Sequence, residues 1–483
     1  MLRALIEKEW KSVLLSPKFA ATFAVTAALI LLSIAIGVGE YRAFEAQQAA
    51  GQRLLAEEHL EQTSWVGLST RIFRGVDPLH IFAGGVHHDI GRLARISNQQ
   101  APLLQQSIYS DDSILAMFRS FDLSLVVQLV LSLFAILFTY DALSGEREAG
   151  TLRLMLSNAV PRSLVVLAKF LGTWLALAVP FTLPVLLGLL AIVLAGIPLD
   201  GGQWQRIALL LLASGLYFTV FMAFGIAVSA LTRRSSTAFL VLLVSWVLLV
   251  LVIPRIGLLA AVYQVPVPTV AEIESQKAGF ETRQREAYRR QLEATWIERQ
   301  RQMAGLDEAG QEAYEDANLW RWLEEDEAAR KRLETDLAQH AMRLDEDLRH
   351  RKAQQEQLAF SLSRLSPASA YRLVAMRIAG SGIELKERYE TAARGYLEAF
   401  SRFVDEGSGG GGDMVIRRRG SGHRSSFMGT QEPLDLSDMP RFDAPRRDAA
   451  TLVAALPDLG LLATQALACF AVGFVAFLRY DVR

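Results

Sequence analysis

Residues 123–151 read LSLVVQLVLSLFAILFTYDALSGEREAGT. The stretch from Leu123 to Tyr140 carries no charge, and an apolar run of this length crosses a ~30 Å hydrocarbon core as a helix. The chain then turns polar at Gly145-Glu146-Arg147-Glu148-Ala149-Gly150-Thr151. Leu152-Arg153-Leu154-Met155-Leu156, Val160-Pro161-Arg162 and Ala168-Lys169-Phe170 come next, before a second apolar run opens at Leu171. A short charged helix is therefore expected at one membrane surface, between two spans. Glu146 and Glu148 at its start suit the positive end of a helix. Gly150 allows close backbone approach, and Thr151 can cap the segment after it. Leu152, Leu154, Met155 and Leu156 would hold the element against the interface. Both carboxylates are expected to be exposed.

Working outward, the same reading gives six spans: Phe19 to Val38, Leu123 to Tyr140, Leu171 to Ile197 with Pro180 and Pro184 inside it, Ile207 to Leu231, Ala238 to Ile253, and Ala450 to Leu478. The 483 residues average 51% hydrophobic with a net charge of −1, but that average mixes apolar runs with stretches dense in Glu, Arg, Gln and Lys. The balance carries no signal for nucleic acid, and no nucleic-acid partner is expected. The single cysteine, Cys469, lies in an apolar run and permits no intrachain disulfide.

Lys and Arg near the span ends give the orientation. One side collects Arg3, Lys8, Lys11 and Lys18, then Arg147, Arg153, Arg162 and Lys169, then Arg233 and Arg234, then Arg479 and Arg483. Both termini are expected in the cytosol of a bacterial cell, with the spans in its inner membrane. Residues 1–18 carry Leu2, Leu5, Ile6 and Trp10 at helical spacing, as an interfacial helix requires. The expected order is this helix, span one at 19–38, an external region at 39–121, spans two to five over 122–257 with the charged loop at 142–165, an external region at 258–449, and span six with the C-terminus at 450–483.

The external regions read as helical. Leu333, Leu337, Met342, Leu344, Leu348, Leu358, Leu362 and Leu365 make one stripe, and Ile273, Phe280, Ala287, Leu292 and Trp296 a looser one upstream. Gly305-Leu306-Asp307 and Gly310 break the pattern, so a long antiparallel helical hairpin is expected over about 271–365. Further helices are expected after Pro367 and over about 384–404, and residues 405–430 read as a flexible stretch. Region 39–121 reads as helical to about Thr63 and irregular beyond. It holds His80, His87 and His88, the candidates for a metal or polar site, without a His-x3-His or cysteine pair.

Catalytic signatures are missing. The sequence has no Gly-x4-Gly-Lys-Ser/Thr loop, no His-Glu-x-x-His and no Gly-x-Ser-x-Gly. The spans carry almost no ionisable residue at mid-depth; Asp122, Asp141, Lys169 and Arg255 sit at span ends. No cofactor is expected and the chain is not read as an enzyme.

These features together resemble ABC-2-type exporter permeases. The carrying residues are Lys8-Glu9-Trp10, Ser144 to Thr151 with Leu152-Arg153-Leu154, Pro161-Arg162, Lys169, Ser366-Pro367-Ala368-Ser369, Asp438 to Phe442, and Phe477 to Arg483. The last three point to a subgroup with large periplasmic insertions, similar to the permease of nitrous oxide reductase maturation. The resemblance implies an all-α polytopic fold with six transmembrane helices, type V exporter-like, plus a helical extracytoplasmic domain with the long hairpin. It implies an N-terminal elbow helix beside a coupling helix. Gly145, Glu146, Arg147, Glu148, Gly150, Thr151, Arg153 and Arg162 would couple to cytosolic ABC ATPase subunits that bind the ATP. The implied partners also include a second permease, identical or related, and the lipid bilayer, and leave room for a periplasmic protein. Two functions fit: a permease moving substrate outward, or a mechanotransmitter passing ATPase-driven motion to a periplasmic or outer-membrane partner without translocation.

Overall fold

The computed structural model describes residues 2–65, 68–75, 77–87, 91, 93–97, 100–105, 121–152, 155, 161–407, 433–444 and 450–479. Among them, six helices are long and apolar enough to cross a membrane. These are α2 (Pro17–Leu60), α3 (123–139), α5 (Arg162–Leu194), α6 (Gly201–Leu231), α7 (Ser235–Gln264) and α12 (Ala450–Leu478). A helix preceding them, α1, covers Leu2–Leu14, and a short one, α4, covers Ser144–Glu148. The all-α polytopic class and the six spans hold, and the chain is a multi-pass membrane protein. Of the six, α2, α5, α6 and α7 run past the spans expected from sequence, with polar residues in the extensions of α2 and α6 and mostly apolar ones in those of α5 and α7.

Two compact units divide the described chain: residues 1–255 with 363–483, and residues 256–362. In the first, large apolar side chains such as Phe181, Tyr217, Phe218 and Phe221 fill the centre of the helix bundle. Leu186, Leu190, Leu212, Leu240, Val244 and Leu467 are exposed apolar residues on the spans, as a hydrocarbon solvent allows. Two spans contain a π-helical stretch, Val127–Leu131 in α3 and Val247–Val252 in α7. The wider turn leaves carbonyls that side chains then take up. The Gln128 carbonyl accepts from Tyr217 Oη at 2.9 Å and from Ser132 Oγ at 2.5 Å, and the Leu249 carbonyl accepts from Ser366 Oγ.

Ser366 also caps α10 (Pro367–Ala379), its Oγ accepting from the amides of Ala368 and Ser369. Proline at the first helical position fits there because its missing N–H would have no partner. Helix α10 is buried along almost its full length, and ends at Gly380 with φ +70°, where glycine avoids the Cβ penalty.

Region 39–121 departs from expectation. Past α2 it forms an antiparallel sheet of order β1-β2-β3 (Ser69–Phe73, Leu93–Ser97, Gln100–Gln105). Ile72, Ala94 and Ile96 pack on α11 (Glu384–Gly407), through its Ala393, Tyr396, Phe400 and Val404. Alternation in Ser-Thr-Arg-Ile-Phe and Leu-Ala-Arg-Ile-Ser places every second residue on that face. Strands this short, set among Gly and Pro, leave a weak trace in sequence.

The second unit is the hairpin of α8 (Val270–Met303) and α9 (Glu308–Ser363). Few of its side chains are buried; Ile273 and Met303 are the buried residues of α8. Polar pairs join the two helices instead. Arg299 bonds Asp326 through two nitrogens at 2.9 and 3.2 Å, Lys277 meets Asp345 at 2.8 Å, and Phe280 stacks on His340 with centroids 3.8 Å apart.

Candidate functional site

The loop opened by Ser144 gathers the helix ends at one end of the bundle. Ser229 Oγ, near the end of α6, accepts from the amides of Leu143 and Ser144 at 3.0 and 3.1 Å. That seats the start of α4, whose first amides have no partner within so short a helix. Arg147 donates to the Thr232 carbonyl at 2.8 Å, just past α6. Glu148 accepts from the Ser235 amide at 3.2 Å and from its Oγ at 2.7 Å, capping the start of α7. Arg162, the first residue of α5, donates to the Leu478 carbonyl at the end of α12 at 2.9 Å. Lys18 bridges to Asp141 at 3.0 Å, joining the start of α2 to the segment after α3.

Lys169 is the centre of this end. Its side chain is only 6% exposed, and its ammonium bonds Glu146 at 2.6 Å and Glu9 at 3.3 Å. One cation thus holds α1, α4 and α5 together. The approach is close: a Cβ on Gly172 would stand 2.7 Å from Glu9 Cβ and 3.2 Å from the Ile6 carbonyl oxygen. Behind the charges, Leu143, Leu152, Val165, Val166, Ile226 and Phe477 form an apolar cluster. Leu152 therefore anchors this loop inward against the protein.

Several local expectations change. Glu146 is expected to be exposed; its side chain is 19% exposed and engaged by Lys169. Gly150 is expected to allow close approach, but among the described residues no atom beyond its chain neighbours lies within 4 Å of where its Cβ would be. Its φ of +71° is the reason for glycine, because the chain turns left-handed after α4. Thr151 donates back to the Glu146 carbonyl at 3.3 Å rather than capping the segment after it. Gly145 stands beside Asp141 and Ser235, its absent Cβ 3.3 Å from the former. Arg153 lies outside the described residues.

The histidine candidates lie elsewhere. His80, on a 3-10 turn, has its ring centroid 4.0 Å from that of His87, and His87 stands 5.2 Å from Phe44. His88 lies outside the described residues. Among the described residues, no group of three or more His, Cys, Asp or Glu could hold one metal ion.

Asp458 escaped the sequence reading altogether. It lies inside α12, is 1% exposed, and bonds Arg364 at 2.6 Å and Arg377 through Nη1. Its only signal in sequence is a lone carboxylate inside an apolar run, of the kind that marks a paired or functional site.

A family model described as ABC-2 family transporter protein matches residues 3–482. The chain belongs to the ABC-2 transporter family. Over 129 residues this ABC-2 transporter is 35% identical to a protein described as "Probable ABC transporter permease protein NosY" from Stutzerimonas stutzeri. That match covers 26% of the chain and 45% of the relative, so it spans less than half of the relative's length.

Proposed function

We propose that this chain is the membrane permease subunit of an ATP-driven transporter, driven at its α4 end by a separate cytosolic ATPase. The supporting observation is Lys169, which ties α1, α4 and α5 through one buried ammonium. A load on α4 is then shared by α1 and α5 through Lys169, by α6 through Ser229, and by α7 through Glu148. Such an element suits the receipt of force better than the binding of substrate. The sequence carries no Gly-x4-Gly-Lys-Ser/Thr loop, which supports assigning the nucleotide to the partner and a non-catalytic part to this chain. The basic residues at this end support a cytosolic side for Met1–Lys18 and the α4 loop, with the spans in a bacterial inner membrane. A second permease, identical or related, completes the membrane unit, and substrate moves outward. Co-expression with the ABC ATPase of the same source tests the reading. The ATPase is expected to co-purify with a tag on this chain. ATP hydrolysis by this chain alone, or failure to retain the ATPase, overturns it.

A second reading has its own support. Trp296 is 62% and Trp320 81% exposed, with Ile297, Leu319 and Leu323 also exposed, all toward the turn of the hairpin. Large exposed apolar residues grouped on a polar element suit protein contact. In this reading the motor's stroke reaches an external protein through the hairpin, and nothing crosses the membrane. Transport assays on the reconstituted complex separate the two: outward flux supports the first, and its absence with a functional cellular output supports the second.

A further inference from the structure

Past the membrane-crossing part of α2, the outer half of the helix and the β-sheet line a half-open cavity of about 500 Å3. Alternation divides the sheet. Ile72, Ala94 and Ile96 face α11, while Arg71, Phe73, Leu93 and Arg95 line the cavity. The register sets Arg71 directly opposite Arg95, and Phe73 opposite Leu93. Like charges at directly opposed positions on one face of a sheet repel. Arg74 adds a third guanidinium to the wall, held by a 2.7 Å bond to the His87 carbonyl and lying 5.5 Å from the centroid of the Phe44 ring. Glu58 reaches Arg71 at 3.1 Å, but its side chain is half exposed, and Arg95 is exposed. Gly51 lets α2 approach the sheet here, since a Cβ at that position would stand 2.5 Å from the Phe73 ring.

We infer that this cavity binds an anionic amphiphile, one apolar chain ending in a carboxylate or phosphate. The head rests on Arg71 and Arg95, and the chain lies on Phe44, Phe73 and Leu93. Paired guanidiniums suit a planar or tetrahedral anion with more than one acceptor oxygen. The apolar floor answers to a chain, which a small hydrated anion would lack. The volume falls in the range of small-molecule sites. A membrane source is close, because Phe44 follows Val38 by about 9 Å along the helix. The anion relieves the repulsion between the opposed arginines, so the ligand stabilises the sheet as well as occupying it. This site is separate from the α4 end and stands or falls apart from the permease reading.

The test uses the full chain in nanodiscs of zwitterionic lipid, with a photoreactive long-chain fatty acid as probe and mass spectrometry to map adducts. Saturable labelling is expected in the peptides that hold Phe44–Leu54 and Arg71–Arg74. Arg95→Glu is expected to weaken it about tenfold, as loss of a charged hydrogen-bond partner does. Leu54→Trp fills the cavity from an exposed position on α2 and is expected to abolish labelling without a change in folding. The matching fatty alcohol is expected to label weakly. Equal labelling by the alcohol, labelling unchanged in both variants, or displacement by inorganic phosphate as effective as by unlabelled fatty acid each overturns the inference. So does displacement by an acidic peptide alone.

Discussion

Lys169 shows how much one residue holds at the α4 end. Its ammonium offsets two carboxylates that are themselves mostly covered, Glu9 at 17% and Glu146 at 19% side-chain exposure. Removing the cation leaves those carboxylates facing each other in partial burial. Breaking a fully buried pair in this way costs about 3–5 kcal/mol. Partial exposure reduces the figure, so Lys169→Met is expected to cost about 2 kcal/mol. Denaturant unfolding of the purified chain in detergent measures it. The cost comes from uncompensated charge, so combining Lys169→Met with Glu9→Gln and Glu146→Gln is expected to recover most of the loss. If the triple variant is as unstable as the single one, lost packing rather than charge is responsible. Glu148 behaves differently, since its bonds to Ser235 are exposed. Glu148→Lys is expected to leave stability nearly unchanged while weakening retention of the ATPase.

At the scale of elements, α10 is fixed by charge as well as by packing. Arg364 before it and Arg377 within it meet at Asp458 of α12, and Arg206 of α6 donates to the Ile378 carbonyl at 3.0 Å. Asp458→Asn keeps the shape but removes the carboxylate shared by Arg364 and Arg377, leaving Arg377 with Glu384 at 3.5 Å; with Arg364 partly exposed, the expected cost is about 2 kcal/mol. Thermal unfolding would register it, and proteolysis near Gly380 should quicken as α10 loosens; an unchanged melting profile would show that packing alone seats the helix. These elements also show what sequence could and could not reveal. Apolar runs announced the six spans, because a hydrocarbon solvent demands them continuously. The Ser366-Pro367 start of α10 was legible because capping is local. The pairing of Glu9 with Lys169 and of Asp458 with Arg377 was not, since each joins residues far apart in the chain. The strands were missed because their alternation extends over only five or six residues. The left-handed turn at Gly150 carried a local signal, but glycine alone does not distinguish positive φ from close approach.

At the scale of the molecule, the hairpin unit is a large ordered insertion with little apolar burial. Its ordering costs conformational entropy that polar pairs offset only modestly, so a bare connection between α7 and α10 would be cheaper. Function is the natural compensation, and the exposed tryptophans indicate where. Gln355 donates to the Val265 carbonyl at 2.8 Å, so the two sides of the hairpin stand together at that level. A linker of about six Gly and Ser residues, reaching roughly 20 Å when extended, can therefore replace residues 266–354 without stretching the chain. The shortened protein is expected to keep the first unit folded, because its helix bundle, sheet and charge clusters draw on residues outside the deletion. It is expected to retain the ATPase and its hydrolysis, since the α4 end is untouched. The physiological output in cells should be lost. Trp296→Ser with Trp320→Ser should reproduce that loss with the hairpin intact, as both side chains are exposed and contribute little to folding. Normal cellular output from the shortened protein would make the hairpin dispensable and remove the mechanotransmission reading. Output lost in the shortened protein but kept in the double tryptophan variant would move the contact away from the turn end and onto the charged faces of α8 and α9.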